Sequence, residues 1–134
     1  MLNKLNHIAI VVPDINKAKQ IYQTKFNANV SEIKNYKEHG VTVVFIKLKN
    51  TKIELMQPYG SNSPIQNFLD KHPDGGIHHI CIEVDDIEKS HKLLKEKNVR
   101  ILGSDKLVIG SHNKPILFLH PKDFCGTLIE LEEK

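Results

Sequence analysis

Two histidines and two glutamates recur at matching places in the two halves of the sequence. His7 and His79 each stand at the start of an apolar stretch, 72 positions apart (79 − 7). Glu54 and Glu130 each lie in an Ile-Glu-Leu run, 76 positions apart (130 − 54). If these side chains converge, two imidazoles and two carboxylates could bind a divalent ion and leave coordination positions open for substrate. A set of nitrogen and oxygen donors without thiolate suits cobalt, nickel, zinc, manganese or magnesium.

A single His at a strand end is usually a packing or surface residue, and a single Glu in a strand usually faces solvent. The occurrence of both residue types in both halves makes a metal site an alternative to separate structural roles, and the pattern alone leaves both open. We interpret the histidines of the turns, the linker and the second helix as surface residues: His39, His72, His91 and His112. Strand alternation points His78 away from His79, and a role for His120 is left open.

Strands are needed to carry the four residues, and alternating hydrophobicity predicts them in both halves. The stretch NHIAIVV is followed by Asp14, a predicted helix N-cap, and by a helix over INKAKQIYQTKF. Three strand-like runs come next, namely ANVSEIKNY, GVTVVFIKL and TKIELMQP. The second half repeats this plan with HHICIEV, the cap Asp86, the helix IEKSHKLLKEKN and the strands VRILG, PILFLH and TLIELEE.

The predicted fold class is α+β, in which two β-α-β-β-β modules pair into a curled, cup-shaped mixed sheet. If the first and last strands of each module adjoin, the four candidate residues come together. We expect one domain, with module one at 1–58, module two at 77–134, and between them a linker at 59–76 that contains a short helix at PIQNFLDK.

Composition indicates an ordinary globular chain of 134 residues, 40% hydrophobic and 26% charged. No apolar run is long enough to span a bilayer, and the N-terminal stretch lacks the features of a signal peptide. Cys81 and Cys125 stand at no metal-ligand spacing, which indicates reduced thiols with packing roles. We therefore expect a cytoplasmic protein without a membrane partner.

The net charge of +3 comes from scattered lysines, and only 6% of residues are aromatic, with no Trp. A nucleic-acid surface would require a clustered basic face, so this partner class is not expected. Lys52, Lys114 and Lys122 could each meet a phosphate, although an isolated exposed Lys is usually only solvated.

Several motifs carry a resemblance that covers almost the whole chain: HIAIVVPDI, EHGVTVVFIKLKNTKIELMQP, GSNSPIQNFL, GGIHHICIEVDDI, KPILFLHPKD and GTLIELE. The chain resembles the vicinal-oxygen-chelate (glyoxalase/bleomycin resistance/dioxygenase) superfamily, and within it the methylmalonyl-CoA epimerases. The resemblance implies a glyoxalase-like fold and a divalent metal, with cobalt expected first. It implies that His7, His79 and Glu130 bind the metal and that Glu54, where some members carry Gln, supplies a fourth ligand.

The activity implied by the resemblance is interconversion of the (R) and (S) forms of methylmalonyl-CoA by 1,1-proton transfer through a metal-stabilised enolate. Such a transfer needs two acid/base groups on opposite sides of the substrate, for which Glu130 and Glu54 are the candidates. Some family members have a glutamate where this chain has Val43, which cannot move a proton. The implied partners are a small acyl-CoA substrate and a second copy of the chain in a homodimer.

Two alternatives share the predicted fold. One is an isomerase of the glyoxalase I (lactoylglutathione lyase) type, which uses a similar set of four residues but has a Trp-containing stretch that is missing from this sequence. The other is a non-catalytic small-molecule binding or drug-resistance module, whose members commonly lack the metal residues that are present here.

Overall fold

A computed structural model of the chain describes residues 1–103 and 106–134. It divides into two compact units. The first unit is His7–His78, and the second unit is Met1–Asn6 together with His79–Lys134. The chain passes from one unit to the other at two places, between Asn6 and His7 and between His78 and His79, and both places lie inside strands. The module limits expected from the sequence remain a prediction.

Strands and helices alternate along the chain largely as predicted. The strands are β1 Leu2–Val11, β2 Asn29–Val30, β3 Lys34–Tyr36, β4 Val41–Lys47, β5 Lys52–Pro58, β6 Gly76–Val84, β7 Val108–Ile109, β8 Pro115–Leu119 and β9 Ile129–Glu133. The helices are α1 Ile15–Phe26, α2 Gln66–Lys71 and α3 Ile87–Glu96, with 3₁₀ turns at Lys37–His39 and Pro121–Asp123. In residues 1–103 and 106–134, no helix is long and apolar enough to cross a membrane.

In the first unit the strands follow the order β2-β4-β5-β1, and β3 also pairs with β4. β1 is parallel to β5, whereas β4 and β5 are antiparallel. The carboxylate of Asp14 caps α1 by accepting the backbone N–H of Lys17 at 3.0 Å, as predicted. Ile15 of α1 packs with Val44 and Leu55 on one face of the sheet, so the opposite face is left for other contacts.

In the second unit the strands follow the order β6-β9-β8-β7. β6 is parallel to β9, and β8 is antiparallel to β9. Asp86 caps α3 through the backbone N–H of Lys89 at 2.8 Å. Ile87 of α3 packs with Leu117 and Leu131, so this unit also has one helix-covered face.

The predicted strand ANVSEIKNY is two short strands, because Ser31 replaces a regular ladder contact. The hydroxyl oxygen of Ser31 accepts a hydrogen bond from the backbone N–H of Phe45 at 2.8 Å. The backbone N–H of Ser31 donates to the carbonyl oxygen of Phe45, also at 2.8 Å. A side-chain oxygen in the ladder interrupts the pairing between β2 and β3.

The prediction of a strand at VRILG is wrong. Only Ile101 forms a bridge there, to Leu119. The backbone N–H of Arg100 donates to the Asp123 carboxylate at 2.8 Å instead of to a neighbouring strand. The short strand β7 was not expected, because two residues are too few to show a period.

Gly75 permits a close approach of two backbone segments within the first unit. Its φ is +90°, and a Cβ atom at this position would lie 2.5 Å from the carbonyl oxygen of Val11. A side chain there would clash with the end of β1, so only glycine fits the turn that leads into β6.

Candidate active-site residues

His7 and Glu54 form a buried pair within the first unit. The imidazole Nε2 of His7 lies 3.0 Å from Oε2 of Glu54, and the two residues are 1% and 5% exposed. His7 lies on β1 and Glu54 on its parallel neighbour β5, where Glu54 is the register partner of Ala9. A carboxylate so deeply buried requires a partner, and the imidazole supplies one.

His79 and Glu130 form the corresponding pair within the second unit. The Nε2–Oε2 distance is 2.9 Å, and the two residues are 4% and 6% exposed. His79 lies on β6, and Glu130 lies on the parallel strand β9 as the register partner of Cys81. In both units the histidine is thus two residues before the register partner of its glutamate, so the duplication extends to atomic contacts.

Within its own unit, each pair lies on the sheet face that the long helix leaves uncovered. Leu55 and Leu131, which follow the glutamates, point to the helix-covered faces formed with α1 and α3. Because side chains alternate along a strand, Glu54 and Glu130 point to the opposite faces. The sequence pattern predicted this orientation correctly for each unit.

The geometry of each pair fits a metal ion. Two ligands bound at right angles to one ion at about 2.1 Å keep their donor atoms about 3.0 Å apart. The observed separations, 3.0 Å for His7–Glu54 and 2.9 Å for His79–Glu130, match this value. The same separation suits an N–H···O hydrogen bond, so each pair has the spacing for a metal ion without needing one to keep its shape.

An aromatic ring accompanies each pair, and neither ring was predicted from the sequence. Phe45 is the register partner of Glu54 and meets the His7 ring edge-on at 6.5 Å between centroids. Phe118 is the register partner of Glu130 and meets the His79 ring edge-on at 5.5 Å. Each imidazole is therefore held between a carboxylate and a phenyl ring, which restricts its orientation.

Comparisons with known proteins support the family assignment. A family model described as the Glyoxalase/Bleomycin resistance protein/Dioxygenase superfamily matches residues 6–118. The mitochondrial methylmalonyl-CoA epimerase of Dictyostelium discoideum is 55% identical over 99% of this chain and 80% of its own length. The ethylmalonyl-CoA/methylmalonyl-CoA epimerase of Cereibacter sphaeroides is 54% identical over 99% of both chains.

The chain belongs to the methylmalonyl-CoA epimerase family within this superfamily. A solved structure of a variant Streptomyces coelicolor methylmalonyl-CoA epimerase in complex with 2-nitronate-propionyl-CoA is 27% identical and has a TM-score of 0.90. The alignment covers 100% of this chain and 96% of that one. The predicted α+β glyoxalase-like fold and the predicted isomerase class are therefore confirmed.

In this epimerase-family chain, Val43 lies on the same sheet face as Glu54. It pairs with Met56, is 1% exposed and packs in an apolar cluster with Ala9 and Val11. The apolar surroundings suit a valine and would penalise a charged side chain. Among the residues considered from the sequence, this leaves Glu54 as the carboxylate of the first unit on that face.

A second polar cluster lies farther along β6 and β9, and the surface interpretation of His112 is wrong. Nδ1 of His112 is 2.7 Å from Oε2 of Glu132, which is 2% exposed. The amide of Asn6 donates to Glu132 at 3.3 Å and to Glu83, the register partner of Glu132, at 2.9 Å. No role was assigned to Glu132 from the sequence because the two residues that follow it, Glu133 and Lys134, are charged, which is typical of an exposed strand end.

Proposed function

We propose that the chain epimerises methylmalonyl-CoA at the carbon between the thioester and the free carboxylate. Relatives with about half of their residues identical are named for this activity. The observation that carries the proposal is the presence of a buried imidazole–carboxylate pair at the same register in each unit. Two equivalent carboxylates are what a proton transfer between opposite faces of one carbon requires.

We further propose that His7, Glu54, His79 and Glu130 together bind one divalent cation, with cobalt expected first. The donor set contains nitrogen and oxygen atoms, and the separation within each pair fits an ion with bonds of about 2.1 Å. When bound, such an ion would act as a Lewis acid that stabilises negative charge on the substrate oxygen. The Streptomyces relative was solved with a nitronate analogue. A nitronate is a planar anion with its negative charge on oxygen, and in both respects it resembles an enolate.

The proton transfer itself is assigned to Glu130 and Glu54. One carboxylate removes the α-proton, and the other returns a proton to the opposite face of the planar carbon. A carboxylate bound to a cation would be a weaker base, so the acting glutamate would have to leave the cation in order to accept a proton. Each glutamate also has a histidine as a partner, at 3.0 Å for Glu54 and 2.9 Å for Glu130.

The proposal is tested by incubating purified protein with methylmalonyl-CoA in deuterated water. We expect the α-proton to exchange, the two stereoisomers to equilibrate, and both processes to stop after chelation and resume with cobalt. The hemithioacetal of methylglyoxal and a thiol serves as the counter-substrate. Turnover of that compound without exchange on methylmalonyl-CoA would identify a glyoxalase I-type isomerase, and thermal stability unaffected by divalent ions would remove the metal from the proposal.

The expected location and assembly are also proposals. Neither Cys81 nor Cys125 joins a disulfide in the part of the chain that the structure describes, which supports a reducing compartment such as the cytoplasm. Leu2, Phe26 and Ile77 are at least 63% exposed, and apolar surface of this kind would be covered in a homodimer. Cell fractionation and light scattering of the purified protein test the two proposals.

A further inference from the structure

Lys52 adjoins both members of the His7–Glu54 pair. On β5 it stands two residues before Glu54, so their side chains share one sheet face. Across the sheet it is the register partner of His7 on the parallel strand β1. The side chain is half-buried, and its ammonium lies 5.0 Å from the centroid of the Phe45 ring, which itself meets His7 edge-on.

Lys52 carries a positive charge on the same sheet face as the His7–Glu54 pair. Within residues 1–103 and 106–134, no carboxylate lies within ion-pair distance of its ammonium. Its direct partner across β4 and β5 is another lysine, Lys47. Like charges opposite each other in a sheet repel, so an anion placed between them would be attracted to this position.

The second unit has no such charge at the corresponding place. Two residues before Glu130 stands Leu128, and two residues after Phe118 stands His120 instead of a lysine. Lys52 thus breaks the symmetry between two otherwise equivalent pairs. A substrate whose two arms differ, one a charged carboxylate and the other a neutral thioester, requires such a difference to bind in a single orientation.

Distance decides which anion of an acyl-CoA fits. Two strand residues span about 7 Å, so Lys52 lies close to the carboxylate that would act on the α-carbon. The pantetheine arm between the thioester sulfur and the first phosphate has about as many bonds as four residues of backbone, roughly 15 Å when extended. The oxygens of the malonyl carboxylate are two bonds from the α-carbon and fall within reach, whereas an extended pantetheine arm would carry the phosphates well beyond Lys52.

We infer that Lys52 binds the free carboxylate of the acyl-CoA substrate and thereby fixes which glutamate faces which stereoisomer. This inference rests on the proposed function and assigns one residue of its substrate site. Lys52 is a specificity residue, because the free carboxylate that it binds is the group that distinguishes malonyl-type thioesters from simple acyl thioesters.

The test compares malonyl-CoA with propionyl-CoA, two ligands that share the same phosphates but differ in the carboxylate. Binding to the metal-loaded protein is measured by titration calorimetry for the wild type, Lys52→Met and Lys52→Arg. Met keeps the apolar stem over Phe45 and removes only the charge. Lys49→Met, in the exposed turn of the same hairpin, is the matched control for loss of one positive charge.

We expect Lys52→Met to weaken malonyl-CoA binding about 10- to 100-fold, the range for one charge-assisted hydrogen bond, and to leave propionyl-CoA unchanged. Lys52→Arg should retain most of the malonyl-CoA affinity, and the Lys49→Met control should alter neither ligand. Equal weakening of both ligands would assign Lys52 to the phosphates, and unchanged binding of both would give it no role; either result overturns the inference. Exchange of the α-proton of methylmalonyl-CoA by the wild-type protein is measured separately. Its result tests the proposed function and does not depend on the role of Lys52.

Discussion

Replacing each proposed base by its neutral isostere should show which glutamate acts on which face of the substrate α-carbon. Glu130→Gln and Glu54→Gln keep the size of side chains that are only 6% and 5% exposed, so the surrounding packing is preserved. Each glutamine can still form a hydrogen bond with its histidine at about 3 Å, but the bond no longer involves a charged carboxylate. We expect a cost of about 1.5–3 kcal/mol in the free energy of unfolding, the value of a hydrogen bond to a charged group.

The effect of each substitution on the reaction rate should be larger than its effect on stability, and the two variants should act on opposite stereoisomers. Removing a positioned base costs about 10²- to 10⁴-fold in rate, so neither variant should epimerise either stereoisomer efficiently. The remaining carboxylate can still remove a proton from the face that it adjoins. Glu130→Gln should therefore exchange the α-proton of one stereoisomer without inverting it, and Glu54→Gln should do so with the other.

The assay follows each pure stereoisomer in deuterated water, with mass spectrometry for exchange and a chiral readout for inversion. Metal content is measured in every preparation, so that loss of the ion is distinguished from loss of the base. Glu88→Gln, exposed on α3, controls for the change in net charge. If both variants lose exchange with the same stereoisomer, or if either inverts substrate within tenfold of the wild-type rate, the assignment of one glutamate to each face is incorrect.

Three further predictions concern the supporting structure. Phe118→Leu should weaken metal binding about fivefold, measured by titration, because an edge-on aromatic contact is worth about 1 kcal/mol. Gly75→Ala should cost at least about 2 kcal/mol and lower Tm by roughly 6–8 °C, whereas Gly60→Ala, which has positive φ but open space, should cost less. Hydrogen bonds from the side chain and backbone of Arg100 lower the pKa of Asp123 from 3.8 to about 2, so their contribution is present above about pH 4 and lost as the pH falls towards 2. Arg100→Gln should raise that pKa towards 3.8 in an NMR titration, and an unchanged value would contradict the assigned cause.

The sequence alone indicated the four residues that the structure arranges as two pairs, although their approach depended on the assumption that the first and last strands of each module adjoin. His7 and Glu54 repeat as His79 and Glu130, and alternation gives the face of each strand without knowledge of the fold. The first residues of α1 and α3 were also predictable, because capping by Asp14 and Asp86 is a local interaction, whereas α3 ends at Glu96, two residues before the predicted end. These features depend on short stretches of chain that are visible in the sequence.

Features that depend on strand register were not predictable. Phe45 and Phe118 stand opposite the glutamates only because β4 and β8 pair with a particular offset, which a single sequence does not reveal. The burial of Glu132 depends likewise on His112 and Asn6, which are distant in sequence. The strand predicted at VRILG is reduced to one bridge at Ile101, because the backbone N–H of Arg100 binds Asp123, a contact that the local sequence pattern does not reveal.

The first six residues belong to the unit that is completed by the end of the described chain. Asn6 donates to Glu132 across a sequence separation of 126 residues. During synthesis this amide leaves the ribosome 126 residues ahead of its acceptor. Contacts of such high sequence separation form slowly, so residues 1–6 of β1 must remain without this acceptor until Glu132 is made, and a substitution at Asn6 would remove a hydrogen bond from Glu132.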